Sequence, residues 1–109
     1  MNYYYTLLLL AIVFEVFGTT CMKLSEGFSK MLPSILIFVF YAISFTFFTF
    51  ALKKLDVSIA YAIWAGLGTA LITIIGIYGF KEPVNAMKMA SLFLVVIGVV
   101  GLNLSDRLS

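Results

Sequence analysis

Charge in this chain is confined to short clusters, separated by long stretches that carry almost none. Lys23, Glu26 and Lys30 form one cluster, and Lys53, Lys54 and Asp56 the next. Lys81, Glu82 and Lys88 form a third, and Asp106 and Arg107 stand near the end. The apolar intervals are about residues 3–22, 32–52, 57–79 and 86–105. Each has the roughly 20 residues that an α-helix needs to cross a hydrocarbon core of about 30 Å. Only 11% of the residues are charged and 63% are hydrophobic, whereas a soluble domain carries about a quarter charged residues. The mean hydropathy is +1.14. These features predict an all-α integral membrane protein, a single domain over residues 1–109 with four transmembrane helices and short connections.

The same inventory removes several functional classes. The chain has no histidine and one cysteine, Cys21, so Ser–His catalysis is ruled out and no intramolecular disulfide forms. With no CxxC pair and no carboxylate cluster, neither a metal site nor a cofactor is expected, and the chain does not read as an enzyme. A net charge of +2 spread over the connections offers no footprint for nucleic acid. The N-terminus has no basic segment ahead of its apolar run and no small-x-small site, so a cleavable signal is not expected. Cys21 reads as a small packing residue. Pro33 suits the first turn of helix two, Pro83 breaks the chain before helix four, and Asp56 or Ser58 is positioned to cap helix three.

One charge breaks the pattern. In "LLLLAIVFEVFGTTCMK", Glu15 lies deep inside the first span. An ionised carboxylate there costs at least about 2.5–3.5 kcal/mol on insertion scales. The cost is relieved when the charge is neutralised, whether by a proton or by a cation. Residues of this kind mark ion and substrate pathways, although a protonated glutamate bonded to a neighbouring helix is the alternative. At helical spacing Leu8, Ala11, Gly18, Thr19 and Met22 share its face, and most are small enough to leave space beside the carboxylate. Helix three contributes "YAIWAGLGTA", with Tyr61 and Trp64 one turn apart. Helix two carries Tyr41, Ser44 and Phe48 on one stripe, and Tyr5 stands nearly three turns before Glu15. A carboxylate among aromatic faces suits a lipophilic cation, because ring quadrupoles hold its surface without hydrogen bonds. Some of those rings serve only as interfacial anchors or face lipid.

Gly66 and Gly68 permit a bend in helix three or close contact with a neighbouring helix. In helix four, Ser91, Leu94, Gly98, Gly101 and Ser105 recur at coiled-coil spacing and read as an assembly seam. Orientation is poorly specified. Lys23, Lys30, Lys81 and Lys88 would face one side, and Lys53, Lys54 and Arg107 the other, four of the seven basic residues against three. So even a division is consistent with insertion both ways and pairing as an antiparallel, dual-topology homodimer.

Taken together, the lone helix-one glutamate, "KLSEGF" after it, "IAYAIWAGLG" in helix three and "SLFLVVIGV" in helix four resemble the small multidrug resistance family. The resemblance covers essentially the whole chain. It implies a proton-coupled exporter of quaternary-ammonium and other lipophilic cations, working in a bacterial or archaeal inner membrane. It also implies an antiparallel homodimer in which Glu15 of both subunits binds protons or cation in alternation; a paralogous partner stays open as the second subunit. Carried over position by position, it implies a substrate pocket of Tyr5, Ala11, Ile12, Gly18, Thr19, Tyr41, Ser44, Tyr61 and Trp64. It further implies a helix-three kink at Gly66 and Gly68, and dimerisation through Ser91, Leu94, Val95, Gly98 and Val99.

"FEVFGTTCMK" is similar to the quaternary-ammonium branch of that family. The guanidinium exporters typically carry a tryptophan where this chain has Gly18, which sets it apart from them; guanidinium export is the alternative reading. Thr46, Ala65 and the loop "FKEP" depart from the best-known multidrug members, and the loop occurs among guanidinium exporters. Two readings from other classes remain: a proton carrier of a rotary ring, and a membrane scaffold in which Glu15 is an assembly hydrogen bond.

Overall fold

A computed structural model describes residues 2–108. The side chains of Asn2 and of residues 106–108 lie outside that description, so Asp106 and Arg107 enter only as backbone. Four helices follow one another: α1 (Asn2–Leu24), α2 (Met31–Ala51), α3 (Val57–Gly79) and α4 (Ala86–Leu108). All four are long and apolar enough to cross a membrane, over Tyr3–Leu24, Met31–Ala51, Val57–Gly79 and Ala86–Ser105. The helical state follows from the solvent, since only intrahelical bonds satisfy the backbone of a single segment in hydrocarbon. The predicted spans hold to within one or two residues at their ends.

The chain divides into two units, residues 1–55 and 56–109. In the first, α1 and α2 pack as an antiparallel hairpin, and the turn between them is built around Ser25. Its buried hydroxyl donates to the Met22 carbonyl at 2.9 Å and accepts the Phe28 N–H at 3.1 Å. Three successive residues, Glu26, Gly27 and Phe28, have φ of 49°, 74° and 68°. Gly27 takes that left-handed conformation without the Cβ clash that its neighbours bear. Lys30 reaches Glu26 at 3.2 Å, an exposed pair of the kind that contributes little to stability. Phe28 then stacks on Phe38 with centroids 6.3 Å apart, tying the turn to α2.

Within the hairpin, Phe14 stacks on Phe47 at 5.9 Å and meets Phe40 at 6.1 Å, while Phe17 meets Phe40 at 5.6 Å. These rings form one flank of the α1–α2 seam. Leu8, Ala11, Ile12 and Val16 are buried along α1, as is the free thiol of Cys21.

In the second unit, α3 and α4 are joined through residues 80–85. Asp56 occupies the N-cap position of α3 with extended backbone, and its carbonyl accepts the Ala60 N–H at 2.9 Å. Its side chain makes no capping bond, so the predicted cap is one of position alone. At the other end, the Gly76 carbonyl accepts the N–H groups of both Phe80 and Glu82, at 3.1 and 3.0 Å. The Glu82 carboxylate folds over Gly76 where a Cβ would otherwise project. Asn85 caps α4 through its side-chain oxygen, which accepts the Lys88 N–H at 2.8 Å. α3 and α4 meet closely at Gly66: a Cβ added there would stand 2.5 Å from Val99 Cγ2 and 3.8 Å from Val95 Cγ1.

Candidate functional site

Glu15 lies near the middle of α1 and is half-buried. One turn on, Thr19 donates its hydroxyl to Glu15 Oε2 at 2.6 Å, the short length of a charge-assisted bond. Thr19 is also 2.8 Å from the hydroxyl of Tyr41 on α2. A threonine hydroxyl carries a single proton. With that proton committed to the carboxylate, Tyr41 is the donor in the second bond. Tyr41 Oη also lies 3.5 Å from Met22 Sδ, a weaker acceptor. The result is a polar chain that leads from α2 through Thr19 to the carboxylate.

Two further features hold Tyr41 and Glu15 in register. Gly18 is buried, and a Cβ there would stand 2.6 Å from Tyr41 Cε1 and 2.7 Å from Cδ1. The ring therefore occupies the space that any larger residue at 18 would need. Sequence reasoning expects Gly18 to leave room beside the carboxylate; in the structure that room is filled by Tyr41. Next, Ser44 is fully buried and donates to the Ala11 carbonyl at 2.7 Å. In an α-helix that carbonyl also accepts the N–H of the residue four positions on, here Glu15. The two helices are thus fastened at the turn that carries the carboxylate, and the Ser44 hydroxyl is engaged there.

The remaining residues named from the sequence divide between the units. Tyr5 on α1 is exposed at the margin and Ile12 is buried. In the second unit, Tyr61 is exposed and Trp64 half-buried one turn later, and Gly66 and Gly68 are both buried. On α4, Ser91, Leu94 and Gly98 are exposed, with nothing within 4 Å of a Cβ added at Gly98. Val95 and Val99 point to Gly66 of the same chain. Among the described residues no group of three or more His, Cys, Asp or Glu comes together.

Three features escape the sequence reading: the Phe14–Phe40–Phe47 cluster, the role of Asn85, and the bond from Tyr41 to Thr19. The last was within reach. A six-residue connection between two helices forces an antiparallel pair, and in such a pair a small residue at 18 faces the middle of helix two.

Comparison with known proteins agrees with the composition. The sequence profile of the family described as Small Multidrug Resistance protein matches residues 2–95. The chain is 51% identical over 102 residues to the uncharacterized membrane protein YvaE of Bacillus subtilis, covering 94% of this chain and 86% of that one. It is 52% identical over 93 residues to the multidrug resistance protein EbrB of Bacillus licheniformis, covering 85% and 78% of the two chains. It is 42% identical over 100 residues to the quaternary ammonium compound-resistance protein QacC of Staphylococcus aureus, covering 92% and 94%.

Proposed function

The chain belongs to the Small Multidrug Resistance family of membrane transporters, and on that premise we propose that it is a proton-coupled antiporter exporting lipophilic, quaternary-ammonium-type cations. It is a multi-pass membrane protein and not an enzyme. The observation that carries the reading is the lone mid-span carboxylate of Glu15, held by the Thr19 hydroxyl. An ionised carboxylate in that setting is neutralised by a proton or by a cation, and the two exclude one another. Exchange then needs only this exclusion and a transition between inward and outward openings that the empty, charged site resists. Tyr61 and Trp64 supply ring faces to the cation in this reading, with Tyr5 as a further exposed ring; Ala11, Ile12 and Gly18 are buried within the first unit. Gly66 and Gly68 provide the bend in α3. Two copies inserted in opposite directions, joined through the exposed stripe of Ser91, Leu94 and Gly98, complete one transporter in a bacterial inner membrane. A paralogue serves equally well as the second subunit.

Guanidinium export is the second reading. Guanidinium presents several N–H donors and needs acceptors around the carboxylate. The hydroxyls of Thr19, Tyr41 and Ser44 give up their protons in the bonds described and keep lone pairs that accept, but position 18 is glycine where the guanidinium exporters typically carry a tryptophan. That favours the lipophilic cation. The test is proton-driven uptake into proteoliposomes, with tetraphenylphosphonium and guanidinium compared side by side. Tetraphenylphosphonium uptake driven by a pH gradient is expected, and it is lost in Glu15→Gln, which keeps size and polarity but cannot titrate. Wild-type uptake by that variant would remove Glu15 from the mechanism.

A further inference from the structure

Four threonines of this chain use their hydroxyls in two ways. Thr20, Thr46 and Thr49 each turn back to the carbonyl four residues earlier, at 2.8, 2.8 and 2.7 Å, the ordinary habit of a helical threonine. Thr19 forgoes its own carbonyl, that of Glu15, and gives its proton to the Glu15 side chain instead. Both acceptors lie within reach of one χ1 rotation. The carboxylate competes well for the proton while it is charged, and much less well once a proton or cation has neutralised it.

Tyr41 stands in a matching position. It has one proton and two acceptors in reach, Thr19 Oγ1 at 2.8 Å and Met22 Sδ at 3.5 Å. While Thr19 points at a charged Glu15, its oxygen is polarised and is the better acceptor. When Thr19 turns back to the helix backbone, its oxygen moves away from Tyr41, and the Met22 sulfur is the acceptor that remains. The ring itself is fixed in the Gly18 recess, so the hydroxyl proton is what responds.

We infer that Thr19 and Tyr41 are positioning residues that form a charge-reading relay: the charge on Glu15 in α1 selects the hydrogen-bond acceptor of Tyr41 in α2. The relay rests on the reading of Glu15 as the exchangeable site and adds the means by which α2 senses its occupancy. Tyr41 is the one titratable side chain of α2, the helix packed against α1; on α1 the nearest charged neighbour of Glu15 is Lys23, two turns away.

The test is a nuclear magnetic resonance titration of the full-length protein in nanodiscs, without substrate, with 13C at glutamate Cδ and tyrosine Cζ. Glu26 and Glu82 are exposed and serve as references, and Tyr41→Phe assigns the Tyr41 signal. In the wild type, Tyr41 Cζ is expected to move with the same pH midpoint as Glu15 Cδ. In Thr19→Val, Tyr41 no longer follows Glu15; Thr19→Ser restores the coupling. Glu15→Gln leaves Tyr41 flat across the same range. A flat Tyr41 in the wild type, or a Tyr41 that still follows Glu15 in Thr19→Val, overturns the relay. The wild-type titration decides the matter even where Thr19→Val does not fold. Because no substrate is present, the two ideas fail separately: a flat Tyr41 beside normal cation uptake removes the relay alone, and an intact relay without uptake removes the function alone.

Discussion

The ring of Tyr41 occupies the place where a side chain on Gly18 would begin, its Cε1 and Cδ1 atoms 2.6 and 2.7 Å from that point. Real Cβ atoms do not approach so closely, and the ring belongs to a packed helix, so neither partner can yield cheaply. Overpacking of this type costs about 1–3 kcal/mol. Gly18→Ala is therefore expected to lower the thermal stability of the detergent-solubilised protein and to weaken cation binding as Tyr41 leaves Thr19. Paired with Tyr41→Ala, which empties the recess, the same alanine should recover most of the stability. A Gly18→Ala protein with unchanged melting and unchanged binding contradicts the packing described.

Gly66 and Val99 offer the same test in the second unit. A methyl at 66 meets Val99 Cγ2 at 2.5 Å, in a helix pair whose association in lipid depends on small residues and close packing. Gly66→Ala should destabilise by about 1–3 kcal/mol, and adding Val99→Ala should return much of that loss. The coupling energy from this double-mutant cycle separates contact from bend. If Gly66 serves mainly as a bend, Val99→Ala will not rescue it, and transport will fall more than stability does.

Much of this was legible in the sequence, because the solvent leaves few options. Four apolar intervals separated by lysine clusters dictate four spanning helices, and the apolar helical segments end within two residues of those intervals. Glu15 stood out as the charge with no boundary to explain it. Helical spacing also brought Ala11, Gly18 and Thr19 onto its face, and Ala11 and Thr19 each make a hydrogen bond with α2. What spacing does not supply is register between helices. Whether Ser44 faces open space or the Ala11 carbonyl depends on where α2 stops along α1, which the Ser25 turn sets through three left-handed residues. Glu26 and Phe28 adopt that conformation without any signature in their identity. Similarly, nothing lies within 4 Å of a Cβ added at Gly98 or Gly101, two positions of the coiled-coil spacing of α4, and that spacing says nothing of Val99 meeting Gly66.

Topology is open to a direct measurement. The basic residues divide four against three between the two sides, and orientation follows that difference. Cysteine labelling at the C-terminus, in a variant lacking Cys21, should find both sides of the membrane labelled in comparable amounts. Two or three lysines added to the connection that holds Lys53 and Lys54 should bias the ratio and reduce export. One strong orientation in the unaltered chain rules out the antiparallel homodimer, leaving a parallel pair or a partner of opposite topology.

Substrate choice in the proposed function follows from the chemistry of the groups offered to the cation. A quaternary ammonium or arylphosphonium cation has no N–H donors, so its contacts must be electrostatic and through ring faces. Glu15 supplies the first, and Trp64 and Tyr61 supply the second in the proposed pocket. Micromolar-class affinity, about −8 kcal/mol, is expected for tetraphenylphosphonium, and much weaker binding for guanidinium. The sign of the pH effect is fixed by competition. In the proposed mechanism cation and proton compete for Glu15, so binding is expected to weaken as pH falls and to strengthen as it rises. Trp64→Ala should weaken tetraphenylphosphonium by about 0.5–2 kcal/mol through loss of its ring face, and should leave the direction of the pH effect unchanged because the titrating group is intact. Calorimetry on the detergent-solubilised protein at two pH values measures all three quantities. Guanidinium binding more tightly than the arylphosphonium would assign the chain to the guanidinium exporters, and a pH-independent affinity would separate the cation from Glu15.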